Sequence, residues 1–161
     1  MSRKDHQFRN LLIALSTFAV AIAYIEAAVV VYLRELYYAE GFAFPLKLMS
    51  ESILSVEVGR ELATIILLAS ISFAVAKKRW ERFGWFLFLF GAWDVWYYIW
   101  LKLTIGWLLS FTDWDVLFLI PIPWIGPVIA PLSVALSMII IGPWIVREDS
   151  MPGSYRPGLL A

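Results

Sequence analysis

The sequence predicts an all-α integral membrane protein, built as a bundle of four transmembrane helices. Of its 161 residues, 61% are hydrophobic and only 16% are charged, whereas an average soluble domain has about 25% charged residues. Mean hydropathy is +0.77. Four apolar segments are each long enough to cross a hydrocarbon core of about 30 Å, at a helical rise of about 1.5 Å per residue. They lie at 11–36, 57–77, 83–105 and 125–146.

The first two segments carry polar residues at defined positions. Segment 11–36 follows a short basic leader, and its apolar run continues past any signal-peptide cleavage site, so we expect a retained helix. Segment 57–77 opens with the polar sequence VEVGRE and stops at KKRWER. Glu57, Glu61 and Thr64 share one face at helical spacing, which predicts a polar stripe that enters the membrane.

The third segment, 83–105, carries Asp94 near its middle, and we expect the bundle to be organised around it. An acid at that depth costs about 2.5–3.5 kcal/mol on insertion scales, which many large apolar residues offset. Tyr97 and Tyr98 lie on the Asp94 side of a helical wheel. A buried carboxylate finds no partner in lipid, so this side should face the bundle interior. The opposite side should face lipid or a partner, and it carries Trp85, Trp93, Trp96, Trp100 and Trp107.

The connections are less regular. Gly41 and Pro45 should break the first helix, and segment 45–54 favours amphipathic turns at the membrane surface. Segment 107–124 is too interrupted by prolines to span, so we expect an aromatic-rich outer lid. Within it, the sequence favours a short helix that begins at Asp113.

Further details concern caps, a kink and orientation. Asp113 and Asp115 are typical of caps in a surface turn, and Pro131 should kink the fourth helix. Nine of the thirteen Lys and Arg residues would lie on the side of the termini. The positive-inside rule therefore places both termini in the cytoplasm. We expect one membrane domain, 1–161, in a multi-pass plasma-membrane protein.

Three intramembrane acids are the strongest functional signal. Glu26 lies eight residues below Arg34, and Asp94 lies eight residues below Lys102, which places both about 12 Å under the outer interface. Glu61 is somewhat shallower. All three must avoid lipid, so we expect them to meet in an outward-facing acidic pocket that binds a cation. Supporting residues are expected at Glu57, Arg60, Tyr97, Tyr98 and Asp115.

The chemistry of this pocket leaves alternatives open. Oxygen ligands from several helices suit a divalent metal ion, held by Glu26, Glu61 and Asp94, and a metal-dependent membrane enzyme is one form of this hypothesis. A di-iron site is disfavoured because its Glu-x-x-His pairs are absent. Alternatively, the acids form a structural network with Arg60 or the tyrosines.

Two other functions remain open, and the composition argues against several cofactors and partners. One alternative is a non-catalytic subunit of a larger membrane complex, or a homo-oligomer, that docks through Trp93, Trp96 and Trp100. Another is a proton-conducting or ion-conducting element. The sequence contains no cysteine and one histidine, His6, before the first apolar segment, so we expect neither an Fe–S cluster nor a haem. No phosphate-binding loop or net basic charge occurs, so we expect lipid contacts but neither nucleotide nor nucleic acid.

Overall fold

Helices dominate the structure, a computed structural model that describes residues 3–38, 40, 47 and 49–149. The elements are listed in chain order as α1 (Arg3–Tyr37), α2 (Glu51–Val75), α3 (Arg79–Ile105), β1 (Trp114–Phe118), β2 (Trp124–Pro127) and α4 (Ile129–Asp149). Within the described residues, α1, α2 and α4 are long and apolar enough to cross a membrane. The predicted all-α class is confirmed, with one small β-hairpin added between α3 and α4.

Helix α3 occupies the centre of the bundle. It packs against α1, α2 and α4, most extensively against α4. It has 27 residues, but it is not among the described helices that are apolar enough to cross a membrane, and its many Trp and Tyr side chains carry polar N–H and O–H groups. This more polar helix is the one that contacts all three others.

Small residues allow α3 and α4 to approach closely. A Cβ atom at Gly84 would lie 2.6 Å from the carbonyl oxygen of Gly142, and a Cβ atom at Gly91 would meet the carbonyl oxygen of Ala135. Each helix thus presents two small residues seven positions apart. Such a spacing keeps both on one helix face and lets the two backbones touch.

The tryptophan side of α3 does not face outward as predicted. Trp85 and Trp93 are buried, with exposed fractions of 2% and 8%, and Trp85 packs against Phe8 of α1. Trp96 and Trp100 are half-buried against the core. The reason is that α1 packs against Trp85 and Trp100, whereas Phe90 and Phe118 cover Trp93. Docking of a partner through these residues stays a prediction, but Trp93 offers it little surface.

The lid segment 107–124 also differs from its prediction. No helix begins at Asp113. Instead β1 and β2 pair antiparallel, from Trp114 opposite Pro127 to Phe118 opposite Trp124, with an irregularity between Val116 and Phe118. Aromatic and β-branched residues favour strands, and the prolines that follow exclude a continuing helix.

The pairing of β2 shifts the start of the last helix. Helix α4 begins at Ile129 rather than at residue 125, so Pro131 lies in its first turn, where a missing N–H is harmless and no kink is required. The interior proline is Pro143. At the other connection, residues 51–54 form the first turn of α2, and Ser50 caps it by accepting the N–H of Ile53.

Part of the predicted connector cannot be compared with the structure. Gly41 lies outside the described residues, as do Pro45, Leu46 and Leu48 of the predicted interfacial segment 45–54. Helix α1 ends at Tyr37 and α2 begins at Glu51, so the helix is interrupted there as predicted, and the role of Gly41 and Pro45 in this interruption stays a prediction.

Candidate binding cavity

One cavity brings together all of the site residues that the sequence suggests. Its volume is about 350 Å³, and it lies between the C-terminal halves of α1 and α3 and the N-terminal half of α2, with β1 along one side. This volume is within the range of about 300–1,000 Å³ that is typical of small-molecule sites. The expected residues that line it are Glu26, Glu57, Arg60, Glu61, Asp94, Tyr97, Tyr98 and Asp115.

Arg60 joins two of the acids. Its guanidinium donates to Glu57 Oε2 from Nη2 at 2.8 Å and from Nε at 3.0 Å, and it forms an ion pair with Glu26. Glu26 also accepts a hydrogen bond from the hydroxyl of Thr64. Glu57 is only 6% exposed, so its carboxylate is buried against Arg60. Helix α2 begins six residues earlier than predicted, and its polar stripe packs inward.

Glu61 is bonded to the hairpin rather than to another side chain. Its Oε2 accepts the backbone N–H of Leu119 at 2.9 Å, and its Oε1 accepts the N–H groups of Leu119 and Ile120, both at 3.2 Å. A carboxylate that accepts several backbone N–H groups makes charge-assisted hydrogen bonds. Glu61 therefore links α2 to the segment that follows β1.

A second link joins α1 to the hairpin. Arg34 Nη2 donates to Asp115 Oδ1 at 3.2 Å, between residues 81 positions apart in the sequence. The guanidinium also lies 3.8 Å from the centroid of the Trp107 ring. Asp115 is 4% exposed, so the expectation of a surface cap is wrong for this residue. Burial raises the pKa of Asp115 to about 6, and the neighbouring Arg34 limits the rise.

Asp113 does act as a turn cap. Its carboxylate accepts the backbone N–H groups of Leu109 and Ser110 at 2.8 and 2.9 Å. It does not line the cavity. The two acids have different roles because Asp113 lies in the turn before β1, whereas Asp115 lies within β1.

Asp94 differs from every other acid in the cavity. It is only 7% exposed, and its carboxylate makes no hydrogen bond or ion pair with any residue that the structure describes. The rings of Tyr97 and Tyr98 lie beside it on α3, with centroids 5.0 Å apart and planes at 74°. Asp94 is thus a buried carboxylate that faces a cavity without a protein partner.

The charges around the cavity do not balance. Among the described residues, five carboxylates line it, together with three basic side chains, Arg34, Arg60 and Lys47. When all are ionised, the cavity carries an excess of two negative charges. Opposite charges attract more strongly as the local dielectric falls, so the cavity favours a cationic occupant.

The predicted metal ligands lie in the same cavity but do not form a set. Among the residues that the structure describes, no three His, Asp or Glu side chains lie close enough together to hold a metal ion. Glu26 is engaged by Arg60 and Glu61 by the hairpin. The divalent metal ion therefore stays a prediction, and of the three acids only Asp94 has no hydrogen-bond or ion-pair partner in the described part of the chain.

Sequence reasoning missed two contributions to this site. Thr64 belonged to the predicted polar stripe of α2, so that stripe was the signal for its contact with Glu26. The backbone N–H groups of Leu119 and Ile120 had no signal in the sequence, because main-chain donors are present at almost every position.

Comparisons with protein-family models, with curated proteins and with solved structures find no match for this chain.

Proposed function

We propose that this protein is a four-span integral membrane protein whose cavity binds a small organic cation that has an apolar portion. Three helices are long and apolar enough to span, and their exposed faces carry large hydrophobic side chains such as Ile66 and Phe73 of α2 and Ile140 of α4. Exposed apolar surface on this scale is stable in lipid and costly in water. Helix α3 is the fourth span, enclosed by the other three.

The observation that carries the proposal is the buried carboxylate of Asp94, which has no partner among the residues that the structure describes. A charge in such a place is costly unless it is paired, and intramembrane acids mark functional sites. A cation bound at Asp94 would supply the missing partner. It would also bring the charge of the cavity closer to neutrality.

The walls indicate an organic cation rather than a bare ion. Tyr97, Tyr98 and Trp93 line the cavity next to Asp94, and aromatic faces attract ammonium groups. Aliphatic side chains such as Val30 and Leu33 of α1 complete the lining. A metal ion requires several oxygen ligands, whereas an alkyl or aryl ammonium requires one carboxylate and an apolar surface.

Binding can be tested on the purified protein in detergent. Benzylamine, which is protonated at neutral pH, should raise the melting temperature, and benzyl alcohol of nearly the same shape should not. At 100 times the dissociation constant, mass action predicts a stabilisation of about 2.7 kcal/mol. Asp94→Asn should abolish the shift. The matched control is Glu35→Gln, which removes an exposed acid near the C-terminal end of α1, outside the cavity lining. This variant should retain the shift.

Two results would contradict the proposal. If Mn²⁺ or Mg²⁺ stabilises the protein and a chelator reverses this, while amines do not act, the metal prediction is the better one. If neither amines nor metal ions change the melting temperature, the cavity is a structural network. Isothermal titration calorimetry on the same samples measures the binding of amines and of metal ions directly.

A further inference from the structure

The hairpin that covers the cavity is fixed at its base. The N–H of Val128 donates to the carbonyl oxygen of Asp113 at 2.9 Å, and the N–H of Ile129 donates to that of Phe111 at 2.9 Å. These bonds tie the start of β1 to the start of α4. The Arg34–Asp115 ion pair adds a connection to α1 near the same end. The base of the hairpin therefore has backbone and side-chain connections on two sides.

The far end of the hairpin is held differently. Phe118 stacks on Phe90, with ring centroids 5.8 Å apart, and it packs edge to face with Trp93. Beyond Phe118 the pairing with β2 has ended. The polar connection of this end to α2 is the Glu61 carboxylate, which holds the N–H groups of Leu119 and Ile120.

The same end of the hairpin forms part of the cavity wall. Leu117, Leu119 and Pro123 line the cavity. A displacement of this end away from α2 would therefore open the cavity without breaking any helix–helix contact. Since the base is tied to α4, such a movement would pivot about the base.

We propose that Glu61 is a positioning residue that latches the hairpin over the cavity, and that ligand enters and leaves when this latch releases. The role of the latch in ligand exchange depends on the proposed binding of a cation. The latch itself is a property of the ligand-free protein. In this proposal Glu61 holds the hairpin, whereas Asp94 binds the ligand.

The latch can be tested without ligand. The sequence contains no cysteine, so nitroxide labels on Leu62→Cys of α2 and Ile122→Cys of the hairpin turn are unique, and both native positions are exposed. Pulsed electron paramagnetic resonance should give one narrow distance distribution in the otherwise unchanged protein. Glu61→Gln should broaden it towards longer distances, because the amide has one acceptor oxygen and no charge.

A matched control lies one turn away. Glu57→Gln changes another cavity acid of α2, and Glu57 bonds to Arg60 rather than to the hairpin. The label distances in Glu57→Gln should equal those of the parent. Equal distances in Glu61→Gln as well would overturn the latch, whether or not the cavity binds a cation.

Hydrogen exchange provides a test that requires no variant. In the unmodified protein, the amides of Leu119 and Ile120 should be protected against exchange, since the Glu61 carboxylate holds them. Exchange at the rate of an unstructured peptide would contradict the latch. Because this measurement uses the unmodified protein, it tests the latch even if Glu61→Gln fails to fold.

Ligand kinetics then test the role in exchange. Stopped-flow tryptophan fluorescence with benzylamine should show a dissociation rate at least tenfold higher in Glu61→Gln than in the parent. It should stay within twofold of the parent in Glu51→Gln, which changes an exposed acid of α2 outside the cavity lining. An unchanged dissociation rate combined with broadened label distances would overturn the role in exchange and leave the latch standing. Absence of any benzylamine binding would refute the proposed function while the label distances still report on the latch.

Discussion

Removal of the Arg60 side-chain charge should destabilise the fold more than any other loss of a single basic residue at the cavity. Arg60→Gln leaves Glu26 and Glu57 without their shared cation, and these acids are only 5% and 6% exposed. Breaking a buried ion pair by removing one partner costs about 3–5 kcal/mol. The Arg60 side chain is 25% exposed, so solvent screening favours the lower end of this range, about 3 kcal/mol.

Thermal unfolding in a mild detergent measures this change. For a chain of this size, about 1 kcal/mol corresponds to a shift of about 2–4 °C, so the melting temperature should fall by roughly 6–12 °C. The double variant Glu26→Gln with Arg60→Gln should recover part of the loss, because one of the two uncompensated charges is removed. Arg79→Gln changes an exposed residue at the start of α3, and it should shift the melting temperature by less than 2 °C.

The reasoning fails if Arg60→Gln melts within 2 °C of the parent. It fails also if the double variant is no more stable than Arg60→Gln alone. Either result would mean that Glu26 and Glu57 are neutral or solvated, and that Arg60 does not compensate their charge.

Three further predictions concern packing, pH and topology. Gly142→Ala should lower the free energy of unfolding by about 1–3 kcal/mol, because its Cβ would meet α3, whereas Gly59→Ala, which meets no atom within 4 Å, should not destabilise in the same chemical denaturation. The pKa of Asp115 is raised by burial to about 6, so its contribution to stability is present below about pH 4 and lost as pH rises through 6; thermal melts should show this loss, and Asp115→Asn should remove it. A membrane-impermeant maleimide should label Ser110→Cys from outside intact cells and Lys77→Cys only after permeabilisation, and the reverse pattern would refute the orientation.

The position of α3 shows how far local sequence information extends. Its length and apolar character predicted a helix that carries Asp94 inward, and the structure places that helix at the centre of the bundle. The facing of its tryptophans could not be predicted. A helical wheel shows which residues share a side, but it does not show whether lipid or another helix covers that side. Helix α1 covers it, and the contact of Trp85 with Phe8 follows from this packing.

The hairpin shows a second limit. Pro121 and Pro123 correctly predicted that segment 107–124 is not a spanning helix. The choice between a short helix and a strand depended on the pairing of β1 with β2, and a cross-strand contact has no local signal when the intervening turn is irregular. The burial of Asp115 and its ion pair with Arg34 depend on that pairing.

Sequence alone predicted the helical class of the protein, the approximate positions of its helices and the level of the bundle at which Glu26, Glu61 and Asp94 lie. These properties depend on hydrophobic patterning and helical rise, which act along the chain. Which acid has which partner depends on the tertiary packing, because partners are set by the faces through which the helices contact one another. In the structure, Glu26 pairs with Arg60 and Glu61 accepts backbone N–H groups of the hairpin. The buried carboxylate of Asp94 faces the cavity.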